Sequence, residues 1–202
     1  LYKMVGSNAR NNRNLAIFEN LIINTSDDNY VFALDAATGE TVSLSDYAGK
    51  RVVLEWTNDG CPFVQKHYAV PPANMQGLQT DASESDVVWL SIISSAPGKQ
   101  GRRTGAEILD MNEGRGATPE HVIIDESGDI GRLYKAKTTP HMFLITADGM
   151  IAYQGAIDDT PSARVSDIET ATNYVSAAMQ SVAAGEPVEV ASSKPYGCSV
   201  KY

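Results

Sequence analysis

One of the two cysteines stands where an apolar run gives way to a helix-like segment. The stretch Leu54–Tyr68 reads LEWTNDGCPFVQKHY, and Cys61 follows its Asn-Asp-Gly turn. Pro62 suits the first helical position, where its missing N–H costs nothing. A cysteine at a helix N-terminus meets unpaired N–H donors and the positive end of the helix dipole, and both favour the thiolate. The pattern therefore predicts an activated sulfur, with a small buried hydrophobic residue as the alternative.

The second cysteine, Cys198, lies five residues from the C-terminus, counting itself, between small residues in the stretch PYGCSVKY. A flexible tail that carries a thiol could reach a sulfenic acid on Cys61 and condense with it to a disulfide. A permanent disulfide that pins the tail to the domain is a second interpretation, and an unrelated free thiol is a third. Two cysteines in all exclude a disulfide-rich scaffold.

A proline stands before the strand-like run HMFLI, in the sequence TTPHMFLI. Proline in a sheet is confined to edges, first positions and bulges, and a cis proline there is a specific feature. A cis Thr139–Pro140 bond is therefore one interpretation of this stretch. The alternative is a trans proline that opens a strand.

Histidines could add metal-binding chemistry to the cysteines. His67 follows Cys61 by six residues, His141 follows Pro140, and His121 begins a strand, where we expect it to be structural. Thiolate with imidazole suits copper or zinc. A non-catalytic protein that binds one of these metals is therefore an alternative function, but the site we favour contains neither a metal nor a cofactor.

The predicted elements alternate between strands and helices. YVFALDA and TVSLSDY form a hairpin, and RVVLEWT, VVWLSII and EHVII are strands separated by helical stretches. The runs TTPHMFLITADG and MIAYQGAID form a second hairpin through Asp148-Gly149. A final helix begins with Ser166 as its cap and stops at Gly185. This order predicts a mixed α/β fold with a parallel core of strands.

We divide the chain into three parts. Residues 1–29 form an N-terminal extension whose apolar piece LAIFENLIIN is either an amphipathic helix or an edge strand. Residues 30–184 form one domain, and residues 185–202 form a tail that carries Cys198. Because PVEV and YGCSVKY contain apolar and aromatic residues, we predict that this tail folds back over the domain.

These stretches together resemble the thioredoxin-fold redoxins, the class that holds thioredoxins, peroxiredoxins and the alkyl hydroperoxide reductase/thiol-specific antioxidant family. The opening LDAATGETVSLSDYAGKRVVLEWT is similar to the hairpin and active-site strand of that class. The resemblance implies a central mixed sheet flanked by helices. It also implies that Cys61 is the nucleophile on a peroxide or disulfide, that Cys198 resolves it, and that Thr139 and Pro140 shape the site. In that class such a Thr-Pro bond is cis and packs beside the active cysteine, so we predict a cis Thr139–Pro140 bond with Pro140 against Cys61.

The chain departs from the motifs of this class at two positions. A thioredoxin has its attacking cysteine where Asn58 stands, so a local cysteine pair is absent. A typical peroxiredoxin has a threonine at position 58 and a proline at position 54, whereas this chain has Asn58 and Leu54. Asn58 thus replaces the hydroxyl that would orient a peroxide, and we expect modest peroxidase turnover.

Composition narrows the range of partners. The 25 acidic and 16 basic residues give a net charge of −9, and no Lys/Arg run could follow phosphates, which argues against nucleic acid. No apolar run reaches the length of a membrane span. We expect a small peroxide or a protein or low-molecular-weight thiol as partner. The start at Leu1 is compatible with a removed signal peptide, so we expect a periplasmic or exported protein, with a cytoplasmic one as the alternative.

Overall fold

The computed structural model describes residues 15–18, 21–24 and 32–202. Its strands are β1 (Leu15–Phe18), β2 (Leu21–Asn24), β3 (Phe32–Asp35), β4 (Thr41–Ser43), β5 (Arg51–Trp56), β6 (Val87–Ile93), β7 (His121–Ile124), β8 (Thr138–Thr139), β9 (His141–Ile145), β10 (Ile151–Gly155) and β11 (Cys198–Ser199). Its helices are α1 (Pro62–Tyr68), α2 (Asn74–Glu84), α3 (Gly105–Arg115), α4 (Asp129–Leu133) and α5 (Tyr174–Ala184). Within these residues, no helix has the length and apolar character needed to cross a membrane.

Seven strands form the central sheet, in the order β10-β9-β5-β6-β7-β3-β4. Strands β5, β6 and β7 are parallel, and β9, β10, β3 and β4 add antiparallel pairs on the two sides. Residues 52–56 of β5 are all buried, because helices cover both faces of this central strand. The predicted mixed sheet flanked by helices is confirmed.

The sheet topology brings two predicted site segments to one edge. Strand β5 runs antiparallel to β9, and Trp56 at the end of β5 pairs with His141 at the start of β9. The loop that leads to Cys61 and the Thr139–Pro140 segment therefore meet at the carboxyl end of the parallel strands. Buried residues of α1, α2 and α5 pack on one face of the sheet beside this edge.

A buried carboxylate fixes α1 to the sheet. Glu55 of β5 accepts hydrogen bonds from the hydroxyl of Tyr68 at 3.0 Å, from the indole of Trp89 at 3.0 Å and from the hydroxyl of Ser91 at 2.9 Å. A buried carboxylate is tolerated only when its oxygens are well satisfied, as they are here. Because Tyr68 is the last residue of α1, this cluster sets the direction of the helix whose first turn follows Cys61.

One sequence prediction about a helix was wrong. The last helix does not begin at Ser166; a short 3₁₀ helix spans Val165–Glu169, and α5 starts after Asn173, whose side chain accepts a hydrogen bond from Ser176 N–H at 3.0 Å. Backbone pairing of Asp158 with Asn173 keeps Asn173 itself extended. In the extension 1–29, the described parts follow the strand alternative: β1 and β2 pair with each other in a separate two-stranded sheet. The rest of that extension lies outside the described residues.

Candidate active site

Cys61 is the N-cap residue of α1. Its backbone is extended and Pro62 occupies the first helical turn, as the sequence predicts. The carbonyl oxygen of Cys61 accepts hydrogen bonds from the N–H groups of Val64 and Gln65, each at 2.9 Å. Its side chain is completely buried, and the thiol donates to the carbonyl oxygen of Thr139 at 3.1 Å. Strand β5, the turn and α1 thus place the Cys61 sulfur against the Thr139–Pro140 segment.

Asn58 holds the turn that carries Cys61. Its side-chain oxygen accepts a hydrogen bond from Gly60 N–H at 3.0 Å, and its amide donates to the carbonyl oxygen of Gln100 at 3.1 Å. Gln100 in turn donates to the carbonyl of Gly60 at 2.8 Å. Asn58 is buried, and these contacts show it bracing the loop through backbone groups. A direct role of Asn58 in the reaction of Cys61 with a substrate stays a prediction.

The Thr139–Pro140 peptide bond is cis, as predicted. The same peptide contributes the carbonyl oxygen that contacts Cys61. Thr139 is buried, and its hydroxyl has no hydrogen-bond partner among the described residues. A buried hydroxyl without a partner is uncommon. Its position beside the sulfur makes it a donor for a negative charge on Cys61.

The C-terminal tail brings Cys198 to this site. Strand β11 pairs antiparallel with β8, which sets Cys198 opposite Thr139 and Ser199 opposite Thr138. Gly197 has a φ of 133°, and a Cβ there would overlap the carbonyl oxygen of Thr139. Only glycine allows the tail to approach so closely. The prediction that the tail folds back over the domain is confirmed.

The two thiols shift each other's pKa in opposite directions. Burial acts to raise the pKa of Cys61, but the thiol and backbone N–H of Cys198, with contributions from the nearby Thr139 hydroxyl and Val64 N–H, outweigh it and lower the pKa. Burial and the negative charge on Cys61 raise the pKa of Cys198 to about 11. The first negative charge therefore settles on Cys61, the sulfur at the helix N-terminus. Both cysteines are thiols in this structure.

The sequence does not indicate which arginine, if any, would assist a peroxide, and four arginines in or near loops are each engaged in other contacts. Arg103 pairs with Asp59 and Arg102 with Glu126. Arg115 stacks on the ring of Tyr68, and Arg132 on the ring of Tyr202. Histidines are similarly occupied: His141 accepts a hydrogen bond from Lys137 N–H, and His121 pairs with Asp35. Within the part of the chain that the structure describes, no group of three or more His, Cys, Asp or Glu side chains is arranged to hold a metal ion.

Two buried histidines predict a loss of stability in mild acid. Burial lowers the pKa of His67 to about 4, with Asp158 opposing and Lys66 adding to the shift. Burial, with a contribution from Lys137, also lowers the pKa of His141 to about 4. An unfolded chain binds these protons near pH 6.5, so the free energy of unfolding should fall as the pH drops from 6.5 towards 4. We expect a loss of about 2 kcal/mol for each histidine between pH 6.5 and pH 5.

Urea unfolding at pH 7 and pH 5 measures this effect. The variant His141→Gln should remove roughly half of the difference between the two pH values, whatever its effect on stability at pH 7. An equal pH dependence in the variant would show that His141 does not stay neutral in the folded protein.

Sequence reasoning missed a cluster beside the cysteines. Lys66 and His67 of α1, Asp158 of the loop after β10 and Tyr196 of the tail are joined by hydrogen bonds. The sequence alone assigns no role to Asp158 or Lys66. The motifs KHY after Cys61 and PYGC before Cys198 were visible, but nothing in the sequence indicates that they meet. Their contact depends on the path of the tail.

Comparisons with known proteins agree with this architecture. A family model described as Redoxin matches residues 18–172. An uncharacterised conserved protein from Geobacillus kaustophilus superposes with a TM-score of 0.69 at 22% identity, covering 86% of this chain and 88% of that one. A hypothetical protein from Sinorhizobium meliloti 1021 superposes with a TM-score of 0.64 at 21% identity, covering 86% and 91%. A comparison with curated proteins gave no significant match.

The family match includes Cys61, Asn58, Thr139 and Pro140 and ends before the tail that carries Cys198. The two solved structures show the fold, which is thioredoxin-like. Thiol-based oxidation and reduction is the general chemistry of this family, and Cys61 is the cysteine inside the matched region. The chain belongs to the redoxin family.

Proposed function

We propose that the protein is a two-cysteine thiol oxidoreductase in which Cys61 and Cys198 interconvert between a dithiol and a disulfide. The observation that carries this proposal is that both thiols meet at Thr139: Cys198 pairs with it between β11 and β8, and the Cys61 thiol donates to its carbonyl oxygen at 3.1 Å. A cysteine pair distant in sequence thus replaces the local pair of a thioredoxin. The lower pKa of Cys61 makes it the nucleophile, and Cys198 resolves the oxidised product.

A hydroperoxide is the oxidant that this site favours. Cys61 has no exposed surface beneath the tail, so a small molecule is easier to admit than a protein disulfide. The Cys61 thiolate attacks one peroxide oxygen; an S–O bond forms, the O–O bond breaks, and the other oxygen leaves as an alcohol or water after taking a proton. The Cys198 thiol then attacks the sulfenic sulfur, forms the disulfide and releases water.

Two thiols from a low-molecular-weight or protein reductant close the cycle. Cys198 is partly exposed and Cys61 is not, so the first thiolate attacks Cys198 and Cys61 leaves. A thiolate of low pKa is the better leaving group. A second thiol attacks the mixed disulfide, regenerates Cys198 and leaves as the oxidised reductant. The same steps of thiolate attack and thiolate departure also apply to thiol–disulfide exchange in the absence of a peroxide.

A redox titration tests the proposal. The full chain is equilibrated in glutathione buffers of graded potential, quenched in acid, and its free thiols are counted after denaturation. We expect two thiols to disappear together at a potential above about −300 mV, the value below which structural disulfides generally lie. Peroxide consumption with dithiothreitol as reductant tests the oxidant. A pair that never oxidises, or one that resists reduction throughout, would contradict a reversible cycle.

A further inference from the structure

A buried charge pair lies beside the redox cysteines and has no part in the chemistry proposed above. Lys66 is completely buried, and its ammonium group donates to a carboxylate oxygen of Asp158 at 3.2 Å and to the carbonyl of Thr160 at 3.1 Å. Asp158 is also buried and accepts a hydrogen bond from Thr160 N–H at 3.0 Å. Burial of such a pair is costly unless the remaining hydrogen-bonding positions are filled.

The hydroxyl of Tyr196 supplies a further hydrogen bond to this buried charge pair. It donates to the second carboxylate oxygen of Asp158 and lies 3.3 Å from Nε2 of His67. Nδ1 of His67 faces the amide of Asn74 at 2.9 Å and accepts from it, so Nε2 carries the proton and donates to Tyr196. The Tyr196 ring packs edge-on against Phe63, with 5.9 Å between the ring centroids. We call Lys66, His67 and Asp158 the tyrosine socket.

The tyrosine socket is tied to both cysteines by short connections. Lys66 and His67 belong to α1, whose N-terminus follows Cys61 directly. Tyr196 precedes Cys198 by two residues, and the intervening Gly197 passes against the Thr139 carbonyl. One seven-residue helix therefore places the Cys61 sulfur at its end and the anchor of Cys198 along its side. A shift of Tyr196 in the socket would move Cys198 relative to Cys61.

We propose that Tyr196 is a positioning residue: its hydroxyl, held between His67 and Asp158, sets Cys198 against Cys61 and so determines how readily the two form a disulfide. The inference rests on the proposed redox pair and adds Tyr196, which lies outside the family match at residues 18–172. An anchor that only stabilised the tail would affect unfolding but not the balance between dithiol and disulfide. The socket holds the tail only on the N-terminal side of Cys198, through Tyr196.

The experiment compares Tyr196→Phe with Tyr202→Phe. Tyr202 belongs to the same tail, four residues after Cys198, and its hydroxyl donates one hydrogen bond, to the carbonyl of Ala136 at 2.8 Å. In the glutathione titration, Tyr196→Phe should lower the equilibrium constant for the Cys61–Cys198 disulfide about tenfold, and Tyr202→Phe should change it by less than about twofold. The pKa of Cys61, followed by iodoacetamide labelling, should rise in Tyr196→Phe alone.

Equal effects of the two substitutions, or no effect of Tyr196→Phe, would overturn the inference. His67→Leu removes the Nε2–H donor to Tyr196 and keeps the tyrosine, so it provides a second variant if Tyr196→Phe does not fold. We expect the disulfide equilibrium constant to fall in this variant as well. In the double variant Tyr196→Phe/His67→Leu, the disulfide equilibrium constant should fall no further than in the more strongly affected single variant, because both substitutions act on one hydrogen-bonded unit. A wild-type chain that forms no reversible disulfide would refute the proposed function, whereas a normal wild type with an unchanged Tyr196→Phe would refute only the inference.

Discussion

Replacing Cys198 with serine should leave a long-lived sulfenic acid on Cys61 after treatment with hydrogen peroxide. In the wild type, β11 holds Cys198 opposite Thr139, whose carbonyl oxygen accepts a hydrogen bond from the Cys61 thiol, so the intermediate meets a resolving thiol at very high effective concentration. Serine keeps the backbone N–H and a hydroxyl donor but cannot form a disulfide. We expect the sulfenic acid, trapped with dimedone and quantified by mass spectrometry, to live about 100-fold longer or more.

Ser199→Ala is the matched control, because Ser199 is the exposed neighbour of Cys198 in the same two-residue strand. It should behave as the wild type in the trapping assay. Cys61→Ser should give no dimedone adduct at all. A Cys198→Ser variant with an unchanged lifetime would remove Cys198 as the resolving thiol while leaving Cys61 as the nucleophile.

Replacing Gly197 with alanine should separate the two cysteines without removing either. The φ of 133° is rarely adopted by residues with a side chain, and the new Cβ would overlap the carbonyl oxygen of Thr139. That oxygen belongs to backbone and cannot move aside as a flexible side chain would. The tail must therefore lift from β8, which exposes Cys61 and withdraws the donors of Cys198. We expect the disulfide equilibrium constant to fall at least about tenfold, with faster alkylation of Cys61.

Gly185→Ala separates this effect from ordinary backbone strain. Gly185 also has a positive φ, of 72°, but a Cβ there would meet nothing within 4 Å. It ends α5 and should cost about 1 kcal/mol of unfolding free energy, without a change in the redox titration. If Gly197→Ala matched the wild type in disulfide formation and alkylation, the close packing of the tail on Thr139 would be refuted.

Local sequence chemistry was sufficient for the elements around Cys61. The run RVVLEWT has apolar residues at almost every position, which suits a strand covered on both faces, and β5 is such a strand. Pro62 and the Asn-Asp-Gly turn indicated the start of α1 for equally local reasons. The start of α5 was misplaced because a good capping box at Ser166 competed with pairing of Asp158 and Asn173, and that pairing joins residues far apart in sequence.

The resemblance to the redoxins predicted the cis proline, and the sequence by itself determined the fold class, the helix N-terminus that carries Cys61 and a tail too apolar to hang free. These follow from backbone preferences and burial patterns within a few residues. Only the tertiary structure decided that Cys198 pairs with Thr139 and that Gly197 must be glycine. It also decided that Lys66, His67 and Asp158 enclose Tyr196. These contacts join residues 38 to 129 positions apart in the chain, and hydrogen bonds between such segments depend on where packing places them rather than on local sequence pattern.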